Sequence, residues 1–108
     1  MKVKVFDLSW GGDMVKKTIE IEDIDRSVLI VDDWFYPEVG DLCINDEGKL
    51  DICTEITKVP PKDPFKGYNL YSFKNSKTKT SQAHLVRVKK GKTYNFDGIT
   101  FVSKRVKY

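Results

Sequence analysis

VGDLCINDEGKLDICTEI, residues 39–56, is the stretch that decides the fold. Two short runs of alternating apolar residues flank Asn45-Asp46-Glu47-Gly48, the pattern of an antiparallel hairpin. With Asp46-Glu47-Gly48 as a three-residue loop and Gly48 in the left-handed conformation of a bulge, the register follows. Asn45 faces Lys49, Ile44 faces Leu50, and Leu42 faces Ile52. Facing residues share one side of the pleat, so Leu42, Ile44, Leu50 and Ile52 make one apolar patch, which Thr54 and Ile56 continue. The other side carries Cys43, Asp51, Cys53 and Glu55 and is expected to be polar and in part wet. A slip of one residue would carry the apolar set into water, so burial holds the register.

Outward from this hairpin the same signals recur. Asp97-Gly98 is a two-residue turn that pairs Phe96 with Ile99 and Tyr94 with Phe101 on one face. Thr93 then faces Val102 on the other, where Lys104 also points. Residues 68–74 (YNLYSFK) and 83–89 (AHLVRVK) read as strands that are apolar on both parities for part of their length, hence central or strongly twisted. A polar, basic loop (75–81) separates them, and Lys90-Gly91-Lys92 makes a further turn. Residues 60–67 (PPKDPFKG) break regular structure, because proline removes donors and restrains its predecessor.

The N-terminal part opens with a strand over 2–8, a turn cluster over 9–13 and a second strand over 14–22, with Val15, Ile19 and Ile21 on one parity. A helix over 14–28 competes, since Met14, Ile21, Ile24 and Val28 fall near helical spacing. β-Branched content and the absence of a capping box favour the strand. Val28-Leu29-Ile30-Val31 suits a buried strand, and Asp32-Asp33-Trp34-Phe35-Tyr36-Pro37 leads from it into the central hairpin. The count is about seven to eight short strands with turn signals every 8–12 residues, which predicts one all-β domain over 1–108, a small antiparallel barrel or sandwich. The Val39-Gly40-Asp41 entry to the hairpin resembles strand starts in SH3-like and related small barrels. That resemblance implies an SH3-like or OB-like style of architecture and no particular function.

Composition places the chain among soluble globular domains: 40% of residues are hydrophobic and 32% charged, enough for one modest core in 108 residues. No apolar run approaches the ~20 residues of a membrane span. The opening MKVKVFDLSW alternates like a strand and lacks the apolar core of a secretory signal. A cytoplasmic setting is therefore expected, the host cytoplasm if the protein is phage-encoded. The net charge of +3 hides an asymmetry: residues 1–58 hold 7 Lys+Arg against 14 Asp+Glu (−7), and residues 59–108 hold 12 against 2 (+10). Either the two halves attract each other within one domain, or the molecule offers charged faces to partners.

Catalytic and metal chemistry find little support. Zinc needs about four ligands, and the chain has two cysteines and one histidine, His84. Cys43 lies opposite Asp51 and only diagonal to Cys53, at or beyond the reach of a disulfide, so both are read as free thiols. His84 sits mid-strand on the parity of Val86 and Val88, the place of a packed histidine, although a Cys–His pair with Cys43 or Cys53 is the one nucleophilic arrangement available. Gly11-Gly12 lacks the Lys-Ser/Thr of a phosphate loop. No enzyme activity, cofactor or metal is expected.

Binding chemistry is better represented. The favoured reading is a non-enzymatic binding or regulatory protein that docks on a nucleic-acid-handling protein. Asp32, Asp33, Trp34, Phe35, Tyr36 and Glu38 set aromatic anchors between carboxylates, and with Asp23 and Asp25 they offer negative charge to a basic groove in place of phosphates. In size and style the chain resembles small phage-encoded inhibitors. Trp34 or Phe35 could equally plug one end of the core. The alternative is direct binding of single-stranded nucleic acid by the basic half: Lys74, Lys77 and Lys79, then Lys89, Lys90 and Lys92, with Tyr71 among the interleaved aromatics Tyr68, Phe73 and Tyr94 as a stacking platform. Lys104, Arg105 and Lys107 add charge at the end of the chain. A small-molecule site in the barrel mouth, walled by Trp10 or Trp34, is a third reading.

Overall fold

The loop of the central hairpin is built by Asn45. Its side-chain oxygen accepts the N–H groups of Glu47 (2.9 Å) and Lys49 (3.0 Å), and its backbone exchanges further bonds with Gly48 and Lys49. Gly48 then turns the chain at φ +77°, and a Cβ there would stand 2.5 Å from the Glu20 carbonyl oxygen. Glycine is required twice over: for the left-handed angle and for the close passage of a second hairpin.

A computed structural model of the chain describes residues 2–8, 14–21, 25–32, 36–45, 47–81 and 83–103. Among them are nine strands and no helix: β1 (Lys2–Leu8), β2 (Met14–Glu20), β3 (Leu29–Asp32), β4 (Leu42–Ile44), β5 (Leu50–Val59), β6 (Tyr68–Phe73), β7 (His84–Val88), β8 (Thr93–Phe96) and β9 (Ile99–Val102). The sheet order is β3-β7-β4-β5-β6, with β1-β2 and β8-β9 as separate hairpins, and every pairing is antiparallel. The strand reading of 14–22 holds over Met14–Glu20, and the helical alternative for this segment falls away. Both read registers are found: Leu42 opposite Ile52 and Ile44 opposite Leu50, then Phe96 opposite Ile99 and Tyr94 opposite Phe101. Asp97 (φ 53°) and Gly98 (φ 78°) are both left-handed, as a type I′ turn demands.

Of the expected barrel or sandwich, the closed barrel is not formed. β7 inserts between β3 and β4, leaving β3 and β6 as edges of an open sheet. The edge of β6 is partly occupied by its own following loop, where Tyr71 and Thr80 exchange backbone hydrogen bonds of 2.7 and 3.0 Å. A β3–β6 closure would have to displace that loop.

Two cores lie on opposite faces of this sheet. One holds Ile21, Leu29, Leu42, Ile44, Val86 and Val88, with Tyr94, Phe96 and Phe101 of the β8–β9 hairpin packed over them. The other holds Cys43, Cys53, Tyr71 and Phe73, flanked by Ile56 and Ala83. This corrects the expected wet face: Cys43, Asp51 and Cys53 are at most 1% exposed, and only Glu55 of that set faces water. It also corrects the expected continuation of the first patch. A bulge between Cys53 and Glu55 adds one residue to β5, so Thr54 is exposed and Ile56 packs beside Tyr71 in the second core.

Asp51 is buried because it completes the sheet where β6 leaves it. Lys74 N–H donates to Ile52 O, and beyond that point the Asp51 carboxylate accepts the N–H of Ile52 (2.8 Å), the N–H of Asn75 (3.1 Å) and Asn75 Nδ2 (3.2 Å). Beyond the bulge β5 and β6 run on together as a projecting arm, and every residue from 60 to 68 at its tip is exposed.

Candidate partner-binding surface

The surface begins with a four-residue turn. Asp41 N–H donates to Glu38 O (3.0 Å), Gly40 takes φ +93°, and the Asp41 carboxylate accepts Glu38 N–H at 2.7 Å. This is a type II turn with glycine at the position that needs a positive angle. Gly40 N–H also donates to Cys53 O at 2.8 Å, which fastens the turn to β5. Val39 stands at the corner of the turn, 62% exposed, because a corner residue has no layer to bury against. Tyr36 is 78% exposed, and Pro37 between them is buried and anchors the segment.

Beside this turn lies an open groove of about 240 Å³ between the turn, β7 and β9. Leu42, Val86, Val88 and Phe101 supply apolar lining, and the polar groups are Glu38, Asp41, Arg87 and Thr100. Ile99 (42% exposed) and Val102 (59% exposed) join Val39 in the lining and at the same time face solvent. Three exposed aliphatic side chains from segments sixty residues apart in sequence thus meet at one groove with two carboxylates.

The residues singled out in the sequence distribute unevenly. Of the aromatic–acidic segment, Asp32 closes β3, Tyr36 is exposed and lies outside the groove lining, and Glu38 is exposed at the groove; Asp33, Trp34 and Phe35 lie outside the described residues, as do Asp23, Trp10, Lys104, Arg105 and Lys107. Asp25 is exposed, and its carboxyl is held below the usual range, first by the Ser27 hydroxyl and backbone N–H, and then by Lys89 and Lys92. Val39, Ile99 and Val102 were not singled out. Val39-Gly40 at a turn corner was the available signal; the other two gave none, since β9 alternation reads the same whether the strand is covered or bare.

The lysines of the alternative reading do not form one face. Lys74 pairs with Asp97 at the tip of the β8–β9 hairpin (2.6 Å), whereas Lys89, Lys90 and Lys92 stand at the opposite end of that hairpin. Lys89 donates to the carbonyl of Arg26. Lys79 pairs with Glu55 at 3.8 Å, and Lys77 is exposed. Tyr71 is 3% exposed, which corrects its expected role: its ring is core, not a stacking platform. Burial raises its hydroxyl's pKa, against the lowering effect of Asn69 Nδ2 donating to it at 3.5 Å.

The thiols are equally enclosed. Cys43 Sγ donates to Asp41 O (3.6 Å) and Cys53 Sγ to Glu55 O (3.8 Å), and burial pushes both thiols up from their ordinary pKa. His84 pairs with Ile44 and Leu85 with Cys43, so His84 belongs to the other side of the sheet from Cys43. The Cys–His pair is not formed with Cys43. Among the described residues no group of three His, Cys, Asp or Glu side chains could hold a metal ion, and no helix is long and apolar enough to cross a membrane. Compared with protein-family models, curated proteins and solved structures, the chain matches none.

Proposed function

We propose that this is a non-enzymatic binding protein that docks on a nucleic-acid-handling protein, as an inhibitor or accessory factor, through the turn 38–41 and the exposed residues of β9. One observation carries the reading: Val39, Ile99 and Val102 are solvent-facing and gather at one groove with Glu38 and Asp41. Exposed apolar patches rimmed by polar groups mark interaction sites. Tyr36 supplies the large, low-entropy anchor that dominates many interfaces, and it sits two residues before a turn fastened by hydrogen bonds, so little order is lost on binding. The half of the chain that carries the turn has a net charge of −7, which suits the basic groove of a protein that handles nucleic acid.

The test is affinity capture followed by titration of the captured partner against wild type, Tyr36→Ala, Val39→Asp and Val102→Asp. Loss of about tenfold or more in Kd, roughly 1.4 kcal/mol, at an unchanged melting temperature is expected for each. Added salt should weaken the complex, because its charges face water at the rim. Undiminished binding by all three variants overturns the assignment.

A further inference from the structure

We propose that the arm formed by β5 and β6 is a contact site for single-stranded nucleic acid, with Tyr68 and Phe65 as stacking rings. The pairing of the arm sets its two faces. Val59 faces Tyr68, Thr57 faces Leu70 and Glu55 faces Ser72 on the outer side, whereas Ile56 and Tyr71 lie on the inner, buried side. Tyr68 is 50% exposed on that outer face. Lys79 lies against the same face, its Nζ donating to Thr57 Oγ1 at 3.4 Å. At the tip, Lys62 and Phe65 exchange backbone hydrogen bonds across Asp63-Pro64, a tight turn that holds the Phe65 ring out, 54% exposed.

The charge around these rings is positive. Lys62 and Lys66 are exposed at the tip beside Asp63, Lys58 lies on the other face of the arm opposite Asn69, and Glu55, the further carboxylate of the arm, is paired with Lys79. Exposed rings set among lysines are the combination that binds single strands: bases offer π-faces to the rings while phosphates meet the ammonium groups. A duplex keeps its bases stacked inside and could use only the lysines. An acidic peptide likewise meets the charge but has no bases to stack on the rings. The rings therefore select among polyanions for one whose flat faces are exposed. This proposal does not rest on the docking surface at 38–41, and Val39→Asp leaves it intact.

The experiment is fluorescence anisotropy of a labelled oligothymidylate of about 15 nucleotides, at low salt, against the whole chain. Binding is expected, with Tyr68→Ala and Phe65→Ala each weakening it by about 5- to 150-fold and Tyr68→Phe restoring it. The log–log salt slope should be about −2 to −3 for three or four phosphate contacts, and each of Lys62→Ala and Lys66→Ala should reduce it by about 0.7. A melting curve for each variant separates lost contact from lost fold, and Tyr68→Phe reports on the ring if an alanine variant does not fold. The proposal is overturned if the oligonucleotide does not bind at low salt, or if loss of both rings leaves binding unchanged. It is overturned too if a duplex or polyglutamate of equal charge binds as tightly, since the site then reads charge alone.

Discussion

Replacing Asp51 with alanine tests the tie between the end of β6 and the body of the sheet. The carboxylate accepts the N–H of Ile52 at 2.8 Å and takes both the backbone N–H and the side-chain amide of Asn75. Asn75 is exposed, so water can replace its two bonds at small cost. Ile52 is 4% exposed, and its N–H has no such recourse. An orphaned buried donor costs about 1–3 kcal/mol, and losing the Asn75 anchor adds about 1 kcal/mol. Removing the carboxylate also relieves its own desolvation, which pulls the expectation to about 2–3 kcal/mol. Against a total stability of about 5–15 kcal/mol that is a large fraction, on the order of 10–20 °C in Tm for a domain of this size. Asp51→Asn keeps one oxygen for Ile52 N–H and should lose roughly half as much. Urea unfolding followed by circular dichroism measures both, with an unchanged m value showing that the native fold is kept. If Asp51→Ala lies within about 0.5 kcal/mol of wild type, as a surface substitution would, the carboxylate does not anchor this corner.

Other substitutions sort by the same logic. Leu42→Ala and Ile44→Ala, at positions at most 1% exposed, should each cost about 2–5 kcal/mol in urea unfolding, whereas Val39→Ala at the exposed turn corner should stay within about 0.5 kcal/mol. Gly48→Ala meets both a positive φ and the Glu20 carbonyl, and should lower stability by about 1–3 kcal/mol; a melt indistinguishable from wild type would show that the loop rearranges without strain. Burial raises both thiols, so iodoacetamide at mildly alkaline pH should leave Cys43 and Cys53 unlabelled in the native protein and label both under denaturant, as mass spectrometry will show. Breaking the exposed ion pair Lys74–Asp97 by Lys74→Ala, or Lys79–Glu55 by Lys79→Ala, should cost about 0–1 kcal/mol in urea unfolding.

What could be read from the sequence is what neighbours in the chain decide. The Asn45–Gly48 loop and the Asp97-Gly98 turn each bring together residues a few positions apart, and their registers followed from turn length and alternation alone. The bulge at Thr54 could not be read, because Ile52 and Ile56 share a parity and a regular strand through Thr54 would put both on one face. Only the partner strand, with Phe73 opposite Cys53 and Tyr71 opposite Ile56, reveals the extra residue. The wet-face error has the same origin. Asp51 looked solvated because its partner, Asn75, lies 24 residues away, at the far end of the strand pair β5–β6. The groove was hidden for a further reason: Val39 and Val102 become neighbours only once β7 lies beside β4 and the last hairpin folds over them.

The charge split acquires a definite meaning from this topology. β3, β4 and almost all of β5 come from the acidic half, and β6 and β7 from the basic half, interleaved as β3-β7-β4-β5-β6. Backbone ladders and two apolar cores join the halves, and neither depends on the sign of the side chains outside them. The ion pair Lys79–Glu55 crosses between the halves, and both its side chains are at least half exposed. Much of the charge of either sign lies at the surface, where an ion pair is worth little. It stays there segregated: Glu38 and Asp41 at the groove, Lys58, Lys62 and Lys66 along the arm. Segregation of this kind raises encounter rates with partners of opposite sign. The two proposals together give one molecule a groove for a protein and an arm for single-stranded nucleic acid.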